Sequence, residues 1–113
     1  SFVAAAAQQY RARRDLVVQR ANAIDGLRAL AGDGAFYVFI DCSGVIGRRT
    51  PAGVVIDSDD AFVGYLREHA GVATITGSAY GLSAFFRVSF ATDEVTLLAA
   101  MDAIADAVRQ LTN

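Results

Sequence analysis

Phe85-Phe86-Arg87-Val88-Ser89-Phe90-Ala91 is the stretch on which the reading of the chain turns. It is rich in aromatic and β-branched residues and reads as the last strand. Side chains alternate between the two faces of a strand. Phe86, Val88 and Phe90 therefore point one way and form a core face. Phe85, Arg87 and Ser89 point the other way. An arginine thus stands beside a phenylalanine on a face that is neither plainly core nor plainly solvent. A guanidinium so placed can grip a carboxylate through two parallel hydrogen bonds. Each charge-assisted bond is worth about 1.5–3 kcal/mol. A strand arginine can also simply face water, and the pattern alone leaves both readings open.

Working outward, Thr92 is the expected cap of the final helix, with Asp93 and Glu94 in its first turn. Leu97, Met101, Ile104, Val108 and Leu111 recur at helical spacing and mark its buried face. Upstream, residues 76–81 read as a loop and 72–75 as a short strand. Ser58 is a good N-cap, with Asp59 and Asp60 where the helix dipole favours carboxylates. Phe62, Leu66 and Ala70 form the stripe of that helix, and Gly71 stops it. Residues 41–56 are an irregular excursion with a turn at Thr50-Pro51-Ala52-Gly53 and a short extended return at Val54-Val55-Ile56. Residues 35–40 read as a strand apolar on both faces, hence covered by protein on both sides, after a turn at Gly32-Asp33-Gly34.

Residues 1–24 read as one long helix. Val3, Tyr10, Val17 and Ile24 recur every seventh residue, and Asp25-Gly26 ends the run. Such a helix spans roughly 35 Å. It is either a strut between two bodies or a helix lying across a small sheet. The order is then helix, strand, helix, strand, strand, helix, an α/β pattern.

The composition bounds the rest. The 113 residues predict one domain, residues 1–113. Apolar residues make up 54% and charged residues 19%, a globular balance. A net charge of −2 excludes a strongly basic nucleic-acid binder. The uncharged stretch 70–86 is too short and too polar for a bilayer helix, and the N-terminus lacks a basic signal region. These features predict a cytoplasmic protein with neither nucleic acid nor membrane as partner. The chain opens at Ser1, which fits methionine removal or a piece of a longer polypeptide. All 10 basic residues are arginine.

Other candidate residues give weaker signals. His69 is the sole histidine and suits a helix C-terminus. Cys42, the one cysteine, reads as a small buried residue and excludes a disulfide framework or a cysteine-built zinc site. Asp57, Asp59 and Asp60 fail the calcium-loop spacing and fit a helix start. Arg48-Arg49 is too short a basic pair to assign. The run from Gly77 to Gly81 is neither a nucleophile elbow nor a dinucleotide fingerprint. No self-sufficient catalytic set is present, so no residue is assigned a catalytic, metal-binding or cofactor-binding role.

Four segments in order nonetheless resemble one family. They are Tyr10-Arg11-Ala12-Arg13-Arg14-Asp15, Gly34-Ala35-Phe36-Tyr37-Val38-Phe39, Gly77-Ser78-Ala79-Tyr80-Gly81 and Phe86-Arg87-Val88-Ser89-Phe90-Ala91. Together they look like the C-terminal small domain of class I pyridoxal-phosphate aminotransferases, the aspartate and aromatic amino-acid group. The resemblance implies a two-layer α+β domain with a short, mainly antiparallel sheet, entered by an interdomain helix over residues 1–24. It implies that Arg87 holds the substrate α-carboxylate and that Phe36 lies near the substrate. It further implies pyridoxal 5'-phosphate in the parent enzyme, an amino acid and a 2-oxo acid as substrates, a large domain in the same polypeptide, and a homodimer. Gly32 and Thr76 stand where the family usually has proline, which loosens two turns.

The family attaches its cofactor to a lysine amine. This chain has no lysine, so alone it should be inactive. The function implied is substrate binding within an enzyme that moves an amino group between an amino acid and a 2-oxo acid. The alternative is a noncatalytic small-molecule or protein-binding module using the same face and Arg87. An apolar face left open by a missing domain could also drive self-association of the chain.

Overall fold

A computed structural model describes residues 2–30, 37–71, 74–76, 84–90 and 92–113. Its elements are α1 (Phe2–Asn22), β1 (Arg28–Leu30), β2 (Tyr37–Asp41), a 3-10 turn (Ser43–Val45), α2 (Asp59–Ala70), β3 (Ile75–Thr76), β4 (Phe85–Ser89) and α3 (Glu94–Arg109). The strands form one sheet in the order β1-β2-β4-β3, with every neighbouring pair antiparallel. The expected two-layer α/β architecture is therefore present.

The register of β2 against β4 sorts the side chains. Val38 pairs with Val88 and Ile40 with Phe86, and all four are buried. On this face the Phe62 ring of α2 meets Phe86 edge to face, with centroids 5.4 Å apart. Both rings are fully buried. Burying each is worth about 1.5–3 kcal/mol, and the edge contact adds about 0.5–1.5 kcal/mol. Behind them lie Leu66 of α2, Val17 and Ala21 of α1, and Leu97, Met101 and Ile104 of α3. The Tyr65 hydroxyl donates to the Ala107 carbonyl at 2.7 Å and ties α2 to α3 within the core.

Most helix ends follow the local chemistry. The Ser58 side chain accepts from the Ala61 N–H, and Gly71 closes α2 in the left-handed region at φ 66°. The cap of α3, however, is Asp93 and not Thr92. The Asp93 carboxylate accepts from the Thr96 N–H at 3.2 Å, so Thr92 lies one residue outside the cap. α1 stops at Asn22, two residues before Ile24, and the freed Asn22 Oδ1 accepts from the Ala29 N–H at 2.9 Å. That bond starts β1, a strand of three residues whose length hid its alternation. Val54-Val55-Ile56 does return along Arg48-Arg49, through Ile56 N–H to Arg48 O at 2.8 Å and an Arg49–Val55 bridge.

Along β2, Tyr37 is exposed and Phe39 and Asp41 are partly exposed, alternating with buried Val38 and Ile40. Among the described residues, the helices' buried side chains meet the face that carries Val38, Ile40, Phe86 and Val88. The turn at 32–34, the family loop 77–81 and residues 35–36 lie outside the described residues.

The turn after α1 crosses the 3-10 turn at two glycines. A Cβ on Gly44 would sit 2.6 Å from both Cα and O of Gly26, where only backbone faces it. Gly44→Ala is expected to cost about 1–3 kcal/mol by forcing the two segments apart. Gly64, in α2, has nothing within 4 Å of such a Cβ. Gly64→Ala is expected to stabilise by about 0.5–1 kcal/mol through helix propensity. Urea unfolding of the two variants should shift in opposite directions; equal shifts would deny the close approach.

Candidate functional site on the open sheet face

β4 is an interior strand, flanked by β2 and β3. Arg87 lies at its centre, with Phe39 as its partner on β2 and Ile75 on β3. The neighbouring positions Phe86 and Val88 are buried, so Arg87 necessarily projects from the opposite face, where it is half-buried. Tyr37 pairs with Ser89, one step diagonal to Arg87. The Arg87 guanidinium carbon lies over the Tyr37 ring, 3.8 Å from its centroid. Phe39 and Phe85 flank the same spot, both half-buried. The result is a permanently charged, planar five-donor group set among aromatic rings. Its bulk surroundings strengthen any hydrogen bond it makes to an anion, because rings screen charge less than water does.

The other sequence candidates do not gather around this point. Phe36 lies outside the described residues. His69 is exposed in the last turn of α2, its ring tilted against Tyr65 at 4.7 Å. Asp59 is buried, and its Oδ1 accepts from the Asp60 N–H at 3.0 Å. Among the described residues no three metal-ligating side chains come together. Arg48 is drawn to Asp25, with Nη2 2.9 Å from Oδ2. Arg49 uses its backbone, exchanging bonds of 2.7 and 3.0 Å with Thr112 near the end of the chain. Both arginines of that pair therefore have structural work.

A groove of about 610 Å³ opens between Ile24, Arg48, Val108, Arg109 and Leu111. Its two arginines are paired with Asp25 and Asp106, and no strand contributes to its walls. The candidate site is instead an open face, which has the shape of half a cleft. The contact of Tyr37 with Arg87 is the feature of this candidate site that sequence reasoning missed. Its signal was the register between β2 and β4, which no spacing along the chain reveals.

Comparison with known proteins bears on this face. The model of the family "Aminotransferase class I and II" matches residues 1–104. An aspartate aminotransferase of Rhizobium meliloti (strain 1021) is 48% identical over 110 residues, which is 97% of this chain and 27% of that protein. An aspartate/prephenate aminotransferase of Cereibacter sphaeroides (strain ATCC 17029 / ATH 2.4.9) is 45% identical over 95 residues, 83% of this chain and 24% of that protein. The crystal structure of the Rhizobium meliloti aspartate aminotransferase matches with a TM-score of 0.96 at 47% identity, covering 99% of this chain and 28% of that one. The Thermus thermophilus aspartate aminotransferase with maleate matches with a TM-score of 0.75 at 34% identity, covering 94% and 25%. The chain thus spans about a quarter of the length of the relatives it matches.

Cys42 is fully buried beside the site strand, its N–H donating to Ala84 O at 2.8 Å. Burial first, then the charges of Asp59 and Asp41, push its thiol up to about 12 from 9.0. The folded state therefore favours the protonated thiol. Its contribution to stability is complete below pH 9 and is lost as pH rises through the folded value. The unfolding midpoint is expected to fall between about pH 9 and 12, and this alkaline loss should shrink in Cys42→Ala. A thiol-specific disulfide reagent at pH 8 should label Cys42 only after unfolding; fast labelling of the folded chain would contradict its burial.

Proposed function

The chain belongs to the class I and II aminotransferases, and on that premise we propose that residues 1–113 form the substrate-carboxylate-binding small domain of a longer aminotransferase. The observation that carries this reading is the placement of Arg87, a half-buried guanidinium at the centre of a sheet face that none of the described helices covers. A large domain of the same polypeptide would close over that face and supply the other wall of the cleft. The shape of α1 supports this. A helix of 21 residues is about 31 Å long, and the fully buried side chains among its described ones, Val17 and Ala21, lie toward its C-terminal end. The long axis of the molecule is 52 Å, against 28 and 20 Å for the others. On this reading α1, Phe2–Asn22, is the interdomain helix expected over residues 1–24.

Arg87 then orients the substrate by its α-carboxylate. Two parallel N–H donors fix both oxygens and so fix the rotation of the bond to Cα. Phe39 and Phe85 limit water at that end and strengthen the ion pair. By family resemblance, Phe36 packs near the substrate as well. The Thermus thermophilus relative was solved with maleate, itself a dicarboxylate. The substrates proposed are an amino acid and its 2-oxo acid, in a cytoplasmic homodimer. Among the described residues no helix is long and apolar enough to cross a membrane.

The residues of this chain do not fit the cofactor's attachment. No lysine is present among the 113 residues, and the described open face offers a guanidinium, aromatic rings and Asp41 rather than an amine. Pyridoxal 5'-phosphate would be held by the large domain, where it supplies an electron sink for the substrate's Cα carbanion. This chain's share is to bind and orient.

In the full-length enzyme, Arg87→Ala is expected to raise KM and lower kcat/KM at least about tenfold, the loss of one charge-assisted bond. Arg87→Lys should recover part of that loss, since it keeps the charge without the fork. Unchanged kinetics in Arg87→Ala would remove this residue from the site. The 113-residue chain alone, given the cofactor, L-aspartate and 2-oxoglutarate, should transfer no amino group; turnover there would sink the division of labour.

A further inference from the structure

We infer that Tyr37 is a positioning residue for the carboxylate site, acting through Arg87 by holding the guanidinium against its ring face. The inference rests on the reading of Arg87 given above and adds a second residue to it. An arginine carries several freely rotating bonds, and a half-buried one on an open face has many orientations to lose on binding. The ring of Tyr37 lies under the guanidinium carbon at 3.8 Å from its centroid. The face of an aromatic ring carries partial negative charge and attracts a cation stacked on it. A guanidinium over a ring makes that contact through its π face, while its N–H bonds radiate within its plane. Tyr37 is thus placed to restrict the orientations of the arginine side chain.

The sheet fixes this arrangement. Tyr37 is paired with Ser89 across β2 and β4, so its ring lies diagonal to Arg87 rather than directly opposite. The directly opposite position is Phe39. Tyr37 is about a third exposed, and its removal opens no hole in the core. The role follows from the ring and not from the hydroxyl. Tyr37→Phe should therefore behave like the parent, while Tyr37→Leu keeps bulk but loses the charged face of the ring.

The test uses the full-length holoenzyme with L-aspartate and 2-oxoglutarate. Tyr37→Leu is expected to raise KM for the amino acid and lower kcat/KM about three- to thirty-fold, with a smaller change in kcat. Tyr37→Phe should stay within about twofold of the parent. In the Arg87→Ala background, Tyr37→Leu should add less than about twofold, because the group it positions is gone. Equal losses in Tyr37→Phe and Tyr37→Leu would assign the effect to the hydroxyl and overturn the inference. An undiminished loss in the Arg87→Ala background would make Tyr37 a structural residue and overturn it too. If Arg87→Ala is damaging and Tyr37→Leu is silent, the Tyr37 inference alone fails. If Arg87→Ala is itself silent, the carboxylate reading fails and takes this one with it. Thermal unfolding of each variant keeps a folding defect from being read as a binding one.

Discussion

The antiparallel register between β2 and β4 is the constraint on which the molecule depends. Side chains repeat every second residue along a strand, so a slip of one position would turn every one of them to the opposite face. In the register observed, Val38, Ile40, Phe86 and Val88 all enter the core. A slip of β4 by one position would expose Phe86 and Val88 and drive Arg87 into an apolar interior, where an unpaired charge is very costly. The same pairing that protects the core therefore delivers the guanidinium to the open face, and stability and site placement are one decision.

The helices enforce that decision from one side. Phe62 of α2 meets Phe86 edge to face, and the Tyr65 hydroxyl reaches the Ala107 carbonyl of α3. Val17 and Ala21 of α1 close the layer. Exposed ion pairs, such as Arg20 with Asp102 between α1 and α3, add little at their exposure. Among the described residues the sheet is thus asymmetric: one face is packed by helices, and the other presents Leu30, Tyr37, Phe39, Phe85 and Arg87 with no described helix over it. An antiparallel sheet tolerates one open face, but one this rich in aromatic side chains fits a surface that meets another body.

Much of this was legible along the chain. The α2 and α3 stripes, the Ser58 cap and the Gly71 stop depend on neighbours within one turn, and local chemistry decides them. Phe86 and Val88 against Arg87 is a period-two pattern that needs no partner to be seen. The failures have the same physical character. β1 is three residues long and exists because Asn22 and β2 receive its backbone groups. Asp93 displaced Thr92 as the cap because the helix start depends on which side chain reaches the Thr96 N–H. The alternation along β2 was hidden in the sequence because the aromatic residues on its outer face are as apolar as residues in a core.

The sequence by itself determined the two faces of the last strand, the helix periodicities, the lack of any lysine amine and, through four ordered motifs, the family. Those properties are set by residue type and by spacing of a few positions. Only the tertiary structure decided which strand lies beside Arg87, that Tyr37 reaches beneath its guanidinium, and that the helices leave that face uncovered. Strand pairing brings together residues about 50 positions apart, and the hydrogen bonds that set such pairing are made by backbone groups identical at nearly every residue.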